Sequence, residues 1–88
     1  MKAPPAKIIK ALRDRNIVSS RGPWEWSRVE TGVDGDDIGL RWVAFGRDIE
    51  TKQVLLVNVV AVTGKYLIET FKPSRRSFTV ITKTPVGV

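Results

Sequence analysis

The stretch QVLLVNVVAV, from Gln53 to Val62, decides how the rest of the chain is read. After Gln53 it is apolar throughout, apart from Asn58, and it is rich in β-branched residues. Such a run is typical of a strand that is covered on both faces or that lies at the centre of a sheet. Thr63-Gly64 follows it, a short turn signal of the kind that closes antiparallel hairpins. We therefore expect this segment to be an inner strand of an antiparallel sheet.

Four other segments are rich in residues that favour strands. The five predicted strands cover about 24–32, 37–46, 53–62, 65–72 and 77–83. Asp34-Gly35 is a second hairpin signal, between the first two of them. Because the connections are short, the strands should follow one another in space as a five-stranded antiparallel meander.

The N-terminal segment has the pattern of an amphipathic helix over about 6–16. Pro4 and Pro5 can open its first turn, and Ile8 and Leu12 lie one turn apart on one face. Asn16 is the expected terminator. The prediction is thus an α+β fold of one domain spanning residues 1–88. One helix of this length hides only part of five strands, so we expect the sheet to curl into a half-barrel or to pair as a homodimer.

Composition narrows the function. The 88 residues include no histidine and no cysteine, so the usual proton shuttle, the thiolate nucleophile and the soft metal ligands are missing. Scattered glycines form no phosphate-cradling loop. We expect a binding role without catalysis, with no cofactor and no metal. No apolar run approaches the length of about 18 residues that a membrane span needs, so no membrane partner is expected, and the absence of cysteine fits a cytoplasmic protein.

The charge pattern predicts an anionic partner. The net charge is +6, and it is distributed as +5 over residues 1–28, −4 over 29–50 and +5 over 51–88. A basic protein of this kind is attracted to nucleic acid or to an acidic protein surface. One basic group lies on the solvent face of the helix, with Lys7, Lys10 and Arg13. Another is Lys72, Arg75 and Arg76, near the turn between the last two strands.

Aromatic and basic residues also alternate in the first predicted hairpin, and strand register decides their role. A two-residue turn at Asp34-Gly35 sets Arg28 opposite Arg41 and leaves Trp24 and Trp26 as a stacking platform for bases. A shift of one residue sets Arg28 opposite Trp42 and gathers the tryptophans into the core. The sequence leaves both registers open.

Asn58 and Glu69 should face each other across the Thr63-Gly64 hairpin. We interpret them as a structural pair, in which the amide satisfies a partly buried carboxylate.

Together these features predict a small basic module that binds nucleic acid. Its expected binding residues are Lys7, Lys10, Arg13, Trp24, Trp26, Arg28, Arg41, Lys72, Arg75 and Arg76. The alternative is a protein-interaction or regulatory accessory subunit, of the type found in viruses or mobile elements, that docks an acidic partner through its sheet face.

Overall fold

The computed structural model describes residues 3–31, 39–62, 65–74 and 77–86, with backbone alone at 29–31, 39–40 and 62. Within these ranges the chain forms one helix and one six-stranded antiparallel sheet, which confirms the α+β prediction. The elements are α1 (Ala6–Asp14), β1 (Ile17–Ser19), β2 (Ser27–Thr31), β3 (Gly39–Asp48), β4 (Val54–Val62), β5 (Lys65–Pro73) and β6 (Phe78–Val86).

The strands from β2 to β6 form the predicted meander, and β4 is an inner strand between β3 and β5. Val57 and Val59 at its centre are fully buried. The sheet is not closed into a barrel, and β6 forms one of its edges. The predicted turns at Asp34-Gly35 and Thr63-Gly64 lie outside the described residues.

One edge of β3 pairs with β4, and the other edge pairs with two separate short strands, β1 and β2. This interrupted edge was not predicted. β1 pairs with one end of that edge (Ser19 opposite Gly46) and β2 with the other (Ser27 opposite Val43), while residues 20–26 connect them without strand pairing. The single strand predicted over 24–32 therefore starts too early. Gly22 has a φ of +64° and Pro23 follows it, which explains why the chain leaves the sheet here.

The helix ends at Asp14, two residues before the predicted end at 16, and Asn16 follows just beyond it as the expected terminator. Asn16 has a φ of +61°, in the left-handed region that asparagine tolerates better than most residues. Its carbonyl accepts a hydrogen bond of 2.8 Å from the Ile49 N–H, which joins the helix end to the β3–β4 turn. Ile8 and Leu12 are fully buried against the sheet.

The two faces of the sheet differ because strand side chains alternate. The helix face carries the core, including Trp42, Val59 and Ile68. We call the other the open face, since among the described residues no helix packs on it. The open face includes Val18 of β1, Ser27 of β2, Arg41, Val43, Phe45 and Arg47 of β3, Val54, Leu56, Asn58 and Val60 of β4, Lys65, Leu67, Glu69, Phe71 and Pro73 of β5, and Phe78, Val80, Lys83 and Pro85 of β6.

Candidate binding surface on the open sheet face

The tryptophans belong to the helix face. β2 and β3 adopt the shifted register, with Arg28 opposite Trp42, and Trp26 and Trp42 are each only 5% exposed. The rings of Trp24 and Trp26 stack with their centroids 4.9 Å apart, and the edge of Trp24 lies against Gly46. Trp26 is thus withdrawn from any ligand, and Trp24 has one ring face covered. The platform of Trp24 and Trp26 that the unshifted register would create is not formed.

The open face of β3 instead presents Arg41, Phe45 and Arg47. Their spacing of four and two residues places all three side chains on the same side of one strand. All three are exposed, and Phe45 is 54% exposed although it is a large apolar residue. An exposed ring between two guanidinium groups is a combination that suits a flat, anionic ligand.

The Phe45 ring begins a row of apolar side chains that crosses the sheet. Register sets Phe45 opposite Leu56, Leu56 opposite Phe71, and Phe71 opposite Val80. Adjacent strands lie about 4.8 Å apart, so the two phenylalanines are separated by about 10 Å. We call this the aromatic row.

A polar group lies beside the aromatic row, at the centre of the open face. The Asn58 side-chain N–H donates a hydrogen bond of 2.8 Å to Glu69 Oε1, as predicted, and Lys83 Nζ lies 3.7 Å from Glu69 Oε2. Asn58 Oδ1 is buried and has no hydrogen-bond partner within the described ranges. This oxygen is therefore a buried acceptor whose hydrogen-bonding capacity is not satisfied by the described part of the chain.

The charge of the open face is predominantly positive. Its described side chains include four cations and one carboxylate, Glu69, which is already engaged by Lys83. The cations are Arg41, Arg47, Lys65 and Lys83. Apart from the Asn58–Glu69 pair, the rest of the open face is largely apolar, so the surface favours a ligand that combines negative charge with flat or apolar groups.

The other predicted binding residues lie elsewhere. Lys7, Lys10 and Arg13 are exposed on the helix, which packs on the opposite side of the sheet, and Lys7 Nζ lies 4.8 Å from the centre of the Tyr66 ring. By strand alternation Arg28 and Lys72 also belong to the helix side. Arg75 and Arg76 are outside the described residues. Among the predicted binding residues that the structure describes, Arg41 alone lies on the open face.

A cleft adjoins the open face at the interrupted edge. It has a volume of about 600 Å³ and lies between loop 20–26 and the surface of β3. Its lining includes Ser20, Arg21, Glu25, Ser27, Phe45 and Arg47. Phe45 and Arg47 thus belong both to the cleft and to the open face, which makes the two one continuous surface.

Neither Arg47 nor Phe45 was among the binding residues predicted from the sequence. The predicted strand ended at residue 46, one position before Arg47. A signal was present in the sequence, because Arg41, Val43, Phe45 and Arg47 alternate with the small or core residues Trp42, Ala44 and Gly46. That alternation runs unbroken only if the strand continues past Gly46.

Comparisons with known proteins identify no relative: no family model, no curated protein and no solved structure matches the chain. In the part of the chain that the structure describes, no helix has the length and apolar character needed to cross a bilayer.

Proposed function

We propose that this protein binds single-stranded nucleic acid, without catalysis, on the open face of its sheet. The observation that carries the proposal is the placement of Arg41, Phe45 and Arg47, all exposed and all on one side of β3. We further propose that it acts in the cytoplasm, because a chain without cysteine suits a reducing compartment.

Physical chemistry supports a single strand as the ligand. Its unpaired bases can stack on aromatic side chains, with about 1–3 kcal/mol per stacked base, while its phosphates pair with arginine and lysine. The open face offers both kinds of group, with Phe45 and Phe71 in one row and cations around them. A duplex hides its bases and could use only the cations.

The test is fluorescence anisotropy of labelled single- and double-stranded DNA and RNA over a salt series. We expect single strands to bind more tightly than duplexes of equal length, with affinity falling steeply as salt rises. Phe45→Ala should weaken single-strand binding by roughly five- to 150-fold, the equivalent of one lost stacking contact. Since Phe45 is largely exposed, the variant should keep its fold, which circular dichroism checks.

A matched pair of charge variants tests the location of the surface. Arg47→Gln and Lys52→Gln each remove one exposed cation, but Lys52 lies in the β3–β4 turn and not on the open face. Arg47→Gln should reduce the slope of log affinity against log salt by about 0.7, the value for one phosphate contact with a single strand. Lys52→Gln should leave that slope unchanged. Equal effects of the two variants, or no binding at low salt, would contradict the proposal.

Intrinsic tryptophan emission gives an independent readout. The tryptophans pack on the helix face, so a strand on the open face should leave their emission nearly unchanged. Strong quenching would place the ligand beside Trp24 instead.

A second candidate is the protein-interaction or regulatory accessory subunit, of viral or mobile-element type, with the open face docking an acidic protein or a second copy of the chain. It is favoured by Val43, Val60 and Leu67, half-buried aliphatic side chains that base stacking does not require. Absence of oligonucleotide binding, together with a dimer in analytical ultracentrifugation, would support this candidate over the first.

A further inference from the structure

The cleft beside loop 20–26 has a wall of defined shape. Ser19 Oγ donates a hydrogen bond of 3.2 Å to the Pro23 carbonyl and accepts one of 3.4 Å from the Arg21 N–H. The Ser20 N–H donates to the Phe45 carbonyl at 3.2 Å, which ties the loop to β3. Arg21 is thus carried on a turn whose backbone is bonded to both its own strand and its neighbour.

Two arginines line the cleft from different elements. Arg21 comes from the loop and Arg47 from the open face of β3, while Glu25 is the one carboxylate among the lining residues described. Within the part of the chain that the structure covers, neither guanidinium makes an ion pair or a side-chain hydrogen bond. Ser20 and Ser27 add hydroxyl donors to the lining. The cleft is accordingly suited to an anion with several acceptor oxygens.

The Phe45 ring indicates that the anion is attached to a flat group that can stack on it. Its ring ends the aromatic row and also lines the cleft, so a base stacked on Phe45 would have its attached phosphate beside Arg47. The volume of the cleft, about 600 Å³, lies within the usual range of roughly 300–1,000 Å³ for small-ligand sites. One nucleotide unit therefore fits the cleft in both size and chemistry.

Charge distinguishes a terminal phosphate from an internal one. A phosphomonoester carries a charge of about −1.5 to −2 near neutral pH and offers three strong acceptor oxygens, whereas an internal diester carries a single charge. Two arginines that make no ion pair within the described residues match the dianion better. The loop also stands at the edge of the sheet, where the aromatic row ends.

We propose that this cleft binds the terminal phosphate of a single strand, with the end base stacked on Phe45 and the phosphate between Arg21 and Arg47. This inference rests on the proposed function, because it assigns the end of the ligand to one end of the open face.

The experiment compares labelled single-stranded oligonucleotides of one sequence that carry a 5′-phosphate, a 3′-phosphate or neither. We expect one of the phosphorylated forms to bind about five- to tenfold more tightly than the unphosphorylated form, as charge-assisted hydrogen bonds allow. Arg21→Gln should abolish that preference, so that the phosphorylated and unphosphorylated forms bind with equal affinity, since Arg21 supplies one of the two guanidinium groups of the cleft. Lys52→Gln is the control, with the same loss of charge and an intact preference.

The two proposals fail in different ways. If the unphosphorylated oligonucleotide binds and neither terminal phosphate improves its affinity, the assignment of the cleft is overturned while the proposed function stands. A preference that survives Arg21→Gln also overturns it. If no oligonucleotide binds in any form at low salt, both proposals are refuted.

Discussion

Gly46 on β3 is a position where one added methyl group should lower the free energy of unfolding. A Cβ at this position would lie 3.0 Å from Ile17 Cγ2, 3.0 Å from Trp24 Cη2 and 3.1 Å from the Val18 carbonyl oxygen. Carbon atoms pack best at about 3.5–4.0 Å, so all three neighbours would have to retreat. The carbonyl cannot do so freely, because Val18 is paired with Arg47 in the β1–β3 ladder.

We expect Gly46→Ala to lower the free energy of unfolding by about 1–2 kcal/mol. Overpacking of this kind typically costs about 1–3 kcal/mol, and replacing glycine within a strand returns roughly 0.5–1 kcal/mol of backbone entropy. For a domain of this size each kcal/mol corresponds to about 4–8 °C in the thermal midpoint. Urea unfolding followed by far-ultraviolet circular dichroism measures the change directly, as a lower midpoint at constant slope.

A double-mutant cycle with Trp24→Phe identifies the cause. Phenylalanine lacks the Cη2 atom that the new methyl group would meet, so the cost of Gly46→Ala should be smaller in the Trp24→Phe background. An unchanged urea midpoint for Gly46→Ala, or strict additivity in the cycle, would refute the packing of loop 20–26 against β3 as described.

Two other predictions can be tested with purified variants of the protein. Asn58→Ala removes the 2.8 Å hydrogen bond to the half-buried Glu69 carboxylate, so it should cost about 1–3 kcal/mol in urea unfolding, and a cost near zero would show that Lys83 and water satisfy Glu69 alone. Replacing Lys7, Lys10 and Arg13 together by glutamine should leave the salt slope for a short single strand unchanged, because the helix packs on the side of the sheet opposite the open face. A slope that falls in this triple variant as much as in Arg47→Gln would assign the ligand to the helix side.

Much of the fold could be predicted from local pattern. The apolar run at Val54–Val62 is an inner strand, paired with β3 along one edge and with β5 along the other, and the helix ends near Asn16 because that residue accepts a positive φ. The pairing of Asn58 with Glu69 follows from hairpin register alone. In each case the signal lies within one or two adjacent elements.

What could not be predicted depends on contacts between distant segments. β1 has three residues, too few for a strand pattern, and it exists because β3 offers an edge beyond Val43. The register of β2 follows from burial of Trp26 and Trp42, which outweighs the two-residue turn that Asp34-Gly35 suggests. Because Trp42 is buried on the helix face, alternation along β3 turns Phe45 to the open face. The candidate site could therefore not be assigned before the face that buries the tryptophans was known.

The far edge of the sheet bears on the behaviour of the protein in concentrated solution. β6 is the last strand in order, and Phe78, Val80 and Ile81 on it are exposed. An uncovered strand of nine residues with such side chains is the kind of template on which chains add to one another and aggregate. The bulge that displaces Ile81 from the ladder, the charge of Lys83 and the missing N–H of Pro85 each interrupt that template. Colloidal stability of this basic protein should therefore depend on three positions along one strand as much as on its overall charge.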